Sequence, residues 1–171
     1  MPATLTDLPV ALSIAGSDSG AGAGIQADLL TFAANGVYGT TAITCLTAQN
    51  PLGVSGVQAI SPAFVLEQCH QVTRHYRPKA LKTGMLLNVE VVEAVAGFIA
   101  EAKIPAVIDP VMVASSGATL LSVEAVAAVA RKLLPLAAVV TPNLDEATIL
   151  LGRKALGGTQ GPAEALELAR R

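Results

Sequence analysis

Short apolar runs alternate with longer helix-like stretches along most of this chain. Residues 10–15, 40–47, 80–83, 106–108 and 138–141 are mostly apolar or β-branched, and each is short enough for a strand. The stretches between them carry helix punctuation. Asn35-Gly36 closes the first, and Ser61-Pro62 opens the second with a cap and a proline at the first helical position. Asn88 precedes Glu90 and Glu93, Ser122 opens a stretch ending in Arg131 and Lys132, and Asn143 opens a last one stopping at Leu151-Gly152. Residues 54–60 alternate weakly, as a short edge strand would. Strands that are apolar throughout and separated by helices predict an α/β fold, an open and mostly parallel sheet with helices on both faces. Such sheets bind ligands outside the carboxyl ends of their strands.

The first strand-to-helix junction is the most unusual segment, Gly16-Ser-Asp-Ser-Gly-Ala-Gly-Ala-Gly-Ile-Gln-Ala-Asp28. Glycines there permit positive φ and close approach of a ligand to the main chain. The helix that follows is expected to present free N–H groups at its start. The segment is not a P-loop, because no lysine follows the glycines. Gly22-Ala-Gly-Ile-Gln-Ala27 matches a dinucleotide fingerprint, which also requires an acidic residue about 20 positions on. No Asp or Glu stands between Asp28 and Glu67. The second strand leads instead to Gln49 and Asn50, whose amides suit a neutral heterocycle.

Other polar groups fall at the same edge. Lys82-Thr-Gly-Met85 ends one strand, Asp109 ends another, and Asn143 follows the last. Each also has a purely structural role open to it. Asp109-Pro110 can stop a strand, and Asn143 with Glu146 forms a capping-box pattern. Asp28 can face solvent from its helix, Gln49 can close a turn before Pro51, and Met85 can be core.

Taken in order, the 16–28 segment, Thr47-Ala-Gln-Asn50, Lys82-Thr-Gly-Met-Leu86, Asp109-Pro-Val-Met112 and Thr141-Pro-Asn-Leu-Asp-Glu146 resemble the hydroxymethylpyrimidine/phosphomethylpyrimidine kinases of thiamine biosynthesis, in the ribokinase-like superfamily. The resemblance covers residues 10–152. It implies that the 171 residues form a single ribokinase-like domain, roughly the first two thirds of the family's domain and shortened at its C-terminal end. It implies an ATP- and Mg²⁺-dependent kinase acting on hydroxymethylpyrimidine and then on its monophosphate. Asp28 and Gln49 would bind the aminopyrimidine. Met85 and Val111 would line its pocket, with Gly16 and the turn at Ala23 as a backbone floor. Asp109, Asn143 and Glu146 would lie near the ATP phosphates, with Asp109 and Glu146 toward the metal. A homodimer is the assembly the resemblance suggests.

One departure stands against this pattern. The family's later glycine-rich motif, Gly-Thr-Gly-Cys or Gly-x-Gly-Asp, carries its catalytic base and anion hole and has no counterpart here. Gly157-Gly-Thr-Gln-Gly161 is the nearest stretch and lacks both the acid and the cysteine. No catalytic residue of that kind is therefore assigned, and the chain alone is expected to be inactive or nearly so. The alternatives are a pyrimidine-binding module without turnover and a pyridoxal-type kinase on the same fold.

Composition narrows the partners. The net charge of −2 disfavours nucleic acid and anionic membranes, and no apolar run reaches the roughly 20 residues of a span. The first basic residue is Arg74, so no basic leader region is visible and the cytoplasm is the expected location. Cys45 and Cys69 read as buried reduced thiols rather than a bridge. His70 and His75 are five apart and do not share a helix face for a metal.

Overall fold

The computed structural model describes residues 8–112 and 121–152. The sequence also suggests a short lead-in over residues 1–9, a loop at 115–117 and a last helix over 162–171; residues 1–7 of the lead-in, all of the other two and the glycine stretch at 157–161 lie outside the described residues. The described elements are β1 (Val10–Asp18), α1 (Gly24–Ala34), β2 (Tyr38–Asn50), β3 (Gly53–Ala59), α2 (Pro62–Tyr76), β4 (Ala80–Thr83), α3 (Val89–Ala102), β5 (Ala106–Ile108), α4 (Val123–Ala128), β6 (Val139–Val140) and α5 (Leu144–Leu150). One six-stranded sheet runs β3-β2-β1-β4-β5-β6. All neighbours are parallel except β3, which returns antiparallel along β2. This is the open, mostly parallel α/β sheet that the alternation of strands and helices predicts.

Strand register sorts side chains to the two faces. Ser13 of β1 lies beside Thr41 of β2 and Lys82 of β4, while Leu12 lies beside Thr40 and Leu81. Alternation along each strand then sends Ser13 and Lys82 to one face and Leu12, Ile14 and Leu81 to the other. α1 covers the first face. A methyl group added at Gly39 would lie 2.6 Å from Leu29 and 2.9 Å from Phe32 of that helix, so glycine there lets α1 approach β2. α2, α3 and α4 cover the second face, where Leu12, Ile14, Ala42, Leu81 and Ile108 pack with Val65, Cys69, Val91, Val92, Val95 and Leu133.

Two strands exceed their sequence expectation. β1 continues past residue 15 because, beyond a register shift, Ser17 and Asp18 pair with Leu46 and Thr47. β2 runs on to Asn50 because β3 supplies partners along its far end, from Cys45↔Ala59 to Asn50↔Gly53. The turn that joins them is therefore only Pro51 and Leu52. The expected edge strand is real, and it is antiparallel.

Helix starts follow their caps. The side chains of Ser61, Asn88, Ser122 and Asn143 each accept the backbone N–H three residues on. α4 widens into a π turn over Val129–Leu133 and tightens over Leu134–Leu136. Pro135, which has no N–H to donate, ends it. Both cysteines are buried and unbridged, and burial pushes the Cys69 thiol up to about 12. No described helix is long and apolar enough to cross a membrane.

Leu12 is fully buried at the centre of the sheet. Leu12→Ala is expected to lower stability by about 2–5 kcal/mol through lost burial and a residual cavity, read from urea denaturation.

Candidate active site

The sheet changes direction at β1. The chain steps outward from β1 to β2 and β3, then returns to place β4 on the other side. α1, which leaves β1, and α2, which leads into β4, lie on opposite faces. A crevice at the carboxyl ends of β1 and β4 follows from that reversal, and it is where open α/β sheets bind ligands.

The glycine-rich turn lies at this crevice and is closed from within. Asp18 Oδ1 accepts the Gly20 N–H at 2.8 Å, and Oδ2 accepts the N–H groups of Gly22 and Ala23 at 3.0 and 2.9 Å. Gln26 spans the next step: its Oε1 accepts the Asp18 N–H at 2.9 Å and its amide donates to Ser17 Oγ at 2.7 Å. These three donors belong to the turn that precedes α1; the helix itself starts at Gly24 with no side-chain cap on its first N–H groups. A carboxylate at the last position of β1 already occupies the place an anionic ligand would take. Gly24 has φ +61°, and a methyl group there would sit 2.5 Å from the Gly16 carbonyl oxygen, so the turn requires glycine at that point.

Gln49 reaches the turn through its backbone. Ser19 Oγ accepts the Gln49 N–H and donates to the Gln49 carbonyl, both at 2.8 Å. The Gln49 side-chain oxygen lies 3.3 Å from Thr47 Oγ1, which is itself 3.0 Å from the Ser17 carbonyl. Gly16 is buried, and a methyl group on it would lie 2.9 Å from Cys45 Sγ and 3.1 Å from Met85 Cε. Met85 therefore lies over Gly16, and Thr44 Oγ1 holds it there by donating to its carbonyl at 2.6 Å.

Two carboxylates converge from the β1 and β5 sides. Asp28, one turn into α1, accepts Ser13 Oγ at 2.5 Å and lies 3.1 Å from Lys82 Nζ. Asp109, just beyond β5, lies 3.6 Å from the same nitrogen. Burial raises the Asp109 pKa above the usual aspartate value, with Lys82 opposing that shift and Asp28 adding to it.

Glu146 belongs to a second tie. It is 3% exposed; Oε1 accepts the Met112 N–H at 3.2 Å and Oε2 the Asn143 N–H at 2.9 Å, while Asn143 Oδ1 accepts the Glu146 N–H. The capping box is therefore real, and it also joins the exit of β5 to the start of α5. Burial raises the Glu146 pKa, partly offset by those N–H donors, and Asp109 and Asp145 add repulsion. Val111 sits on the segment so held, its N–H bonded to the Asp109 carbonyl at 2.9 Å.

A family model for phosphomethylpyrimidine kinase matches residues 18–169. The chain belongs to that family. It is 59% identical over 145 residues to the hydroxymethylpyrimidine/phosphomethylpyrimidine kinase of Synechococcus elongatus, an alignment covering 85% of this chain and 55% of that protein. The crystal structure of phosphomethylpyrimidine kinase from Clostridium difficile superposes with a TM-score of 0.86 at 37% identity, over 95% of this chain and 69% of that one. A pyridoxal kinase from Bacillus subtilis, solved as an ADP complex, gives 0.83 at 39% identity, over 95% and 59%. The chain spans about half the length of the curated relatives it matches.

Within this phosphomethylpyrimidine kinase scaffold, three polar residues enter the crevice that the sequence reading left unassigned: Ser13, Asp18 and Lys82. Lys82 carried a signal, as the one charged residue in an otherwise apolar strand run, and such a residue requires a partner. Ser13 carried none, because an isolated serine in an apolar strand has no distinguishing pattern. His70 packs edge-on against Phe98, and His75 against Tyr76. Among the described residues no group of three or more potential ligands gathers around a metal position.

The raised pKa of Asp109 makes a sign-specific prediction. The native state retains that proton at a pH where the unfolded chain has lost it. The contribution to stability is present at low pH and is lost as pH rises through the native value. Asp109→Asn is therefore expected to raise the urea midpoint at pH 7 and to flatten its decline above about pH 4, the ordinary aspartate range. Glu146, raised first by burial as well, contributes to the slope that remains.

Proposed function

We propose that these residues form the pyrimidine half, and part of the phosphate half, of an ATP-dependent hydroxymethylpyrimidine/phosphomethylpyrimidine kinase. The observation that carries the reading is the meeting of Asp28 and Asp109 around Lys82 at the switch point of a sheet whose family is that of the phosphomethylpyrimidine kinases. Asp28 accepts an N–H from the aminopyrimidine, and the Gln49 amide pairs with a second polar edge. Met85 over Gly16, together with Val111, bounds the apolar side of the ring. Ala23 contributes shape rather than an N–H, since Asp18 holds that donor.

In the reaction the substrate hydroxyl oxygen bonds to the γ-phosphorus of ATP, the hydroxyl proton is released, and ADP leaves. Phosphoryl transfer depends mainly on positioning and charge neutralisation. Mg²⁺, held by one or two carboxylates together with phosphate oxygens, neutralises the phosphates when bound. Asp109 fits that part, with its side chain 30% exposed at the crevice. Glu146 fits it only through its charge and through water, because both its oxygens already accept N–H groups. Asn143 is exposed beside it at the start of α5, toward the phosphates.

Calorimetry with 4-amino-5-hydroxymethyl-2-methylpyrimidine tests the reading, with ³¹P NMR following turnover in ATP and Mg²⁺. The 171-residue chain is expected to bind the pyrimidine. Asp28→Asn and Gln49→Ala are each expected to weaken binding about tenfold or more, the loss that goes with a hydrogen bond to a buried polar group. Turnover by these 171 residues is expected to fall about 10²–10⁴-fold below that of the longer relatives, for want of a positioned general base. Failure of the chain to bind the pyrimidine overturns the reading. The fold match to pyridoxal kinase makes pyridoxal the competitor to include, and tighter binding of pyridoxal moves the assignment to that substrate.

A further inference from the structure

The reading above uses Lys82 only as the point where Asp28 and Asp109 meet and gives it no role of its own, yet its ammonium group touches both halves of the site. Its stem runs beside Ser13 on the α1 face of the sheet. Its Nζ stands 3.1 Å from Asp28 Oδ1, 3.3 Å from Asp28 Oδ2 and 3.6 Å from Asp109 Oδ2. An ammonium has three donors, and three carboxylate oxygens surround this one. The group is partly shielded, with side-chain exposures of 22% for Lys82, 16% for Asp28 and 30% for Asp109. The backbone makes room for it: a methyl group at Gly84 would come 3.1 Å from Nζ and 2.9 Å from the Ala15 methyl.

Asp28 is consequently held from two directions. Ser13 Oγ donates to Oδ2 from β1, and Lys82 reaches both oxygens from β4. A carboxylate held in this way keeps its plane before any ligand arrives, so less order is lost on binding. Asp109 lies against the same nitrogen from beyond β5. The two carboxylates, which would otherwise repel across the crevice, are kept together by a single cation.

We propose that Lys82 is a positioning residue that fixes Asp28 for the aminopyrimidine and joins the ring subsite to the phosphate subsite at Asp109. The inference rests on the functional reading above and adds a residue to it. Supporting residues of this kind are typically worth 10–100-fold in affinity or activity.

The test is calorimetric binding of the same pyrimidine to the full chain without nucleotide, with circular dichroism confirming the fold of each variant. Lys82→Met is expected to weaken binding about tenfold or more, and Lys82→Arg to recover most of the loss. Lys82→Met with Asp109→Asn, which removes the repulsion between the carboxylates, is expected to show the same loss in a folded chain. Asp28→Asn combined with Lys82→Met is expected to bind no more weakly than Asp28→Asn alone, because Lys82 acts through Asp28. Lys132→Met, which breaks the exposed pair with Glu93 elsewhere, is expected to bind as the unmutated chain does. Unchanged affinity in both Lys82→Met variants overturns the inference and leaves the functional reading intact. Additive losses from Asp28→Asn and Lys82→Met also overturn it, since Lys82 would then act on the ligand independently of Asp28. Absence of binding by the unmutated chain overturns the functional reading and this inference with it.

Discussion

β1 is paired on both edges, and nearly everything else in the molecule follows from that. Its parallel partners β2 and β4 arrive from opposite directions in the topology, so the helices that leave and enter must lie on opposite faces. The reversal opens a crevice at the carboxyl ends of β1 and β4. It also forces adjacent side chains on those strands, Ser13 and Lys82, into the same small volume beside α1. A polar pair in the middle of an apolar sheet is costly unless it is satisfied. Asp28 of α1 satisfies it, and the helix is thereby tied to both strands.

The glycine turn shows the same economy of contacts. Its backbone donors are aimed at one point, as they would be in an anion site, but the Asp18 carboxylate of the chain itself stands there. The turn is rigid before any ligand enters. Its contribution to recognition is accordingly geometric: it sets Gly16 beneath Met85 and secures the Gln49 backbone through Ser19. Glu146 works in a comparable way across the gap between β5 and α5, where a buried carboxylate with both oxygens occupied makes a strut between two loops.

Much of this was legible in advance. The starts of α2, α3, α4 and α5 were readable because Ser61, Asn88, Ser122 and Asn143 act locally, on N–H groups three residues away. β4 and β5 were readable because short apolar runs between helices have few other uses. The extents of β1 and β2 were not, because their last residues are strand only while a partner lies alongside. The direction of β3 was not readable either, since a weakly alternating edge segment can pair in either sense.

The site divides along the same line. Sequence by itself determined the fold class, the helix boundaries set by caps, and the gathering of Asp28, Gln49, Met85, Asp109 and Asn143 at one edge of the sheet. These follow from local propensity and from the polarity of parallel strands, which place every strand-to-helix junction on the same side. Tertiary structure alone decided that Glu146 reaches Met112 with the oxygen its capping box leaves free, and that Lys82 stands between Asp28 and Asp109. Those outcomes depend on distances of a few ångströms between residues as many as 54 positions apart. Only register and packing set such distances, because no local pattern encodes which side chain of one strand will face which side chain of another.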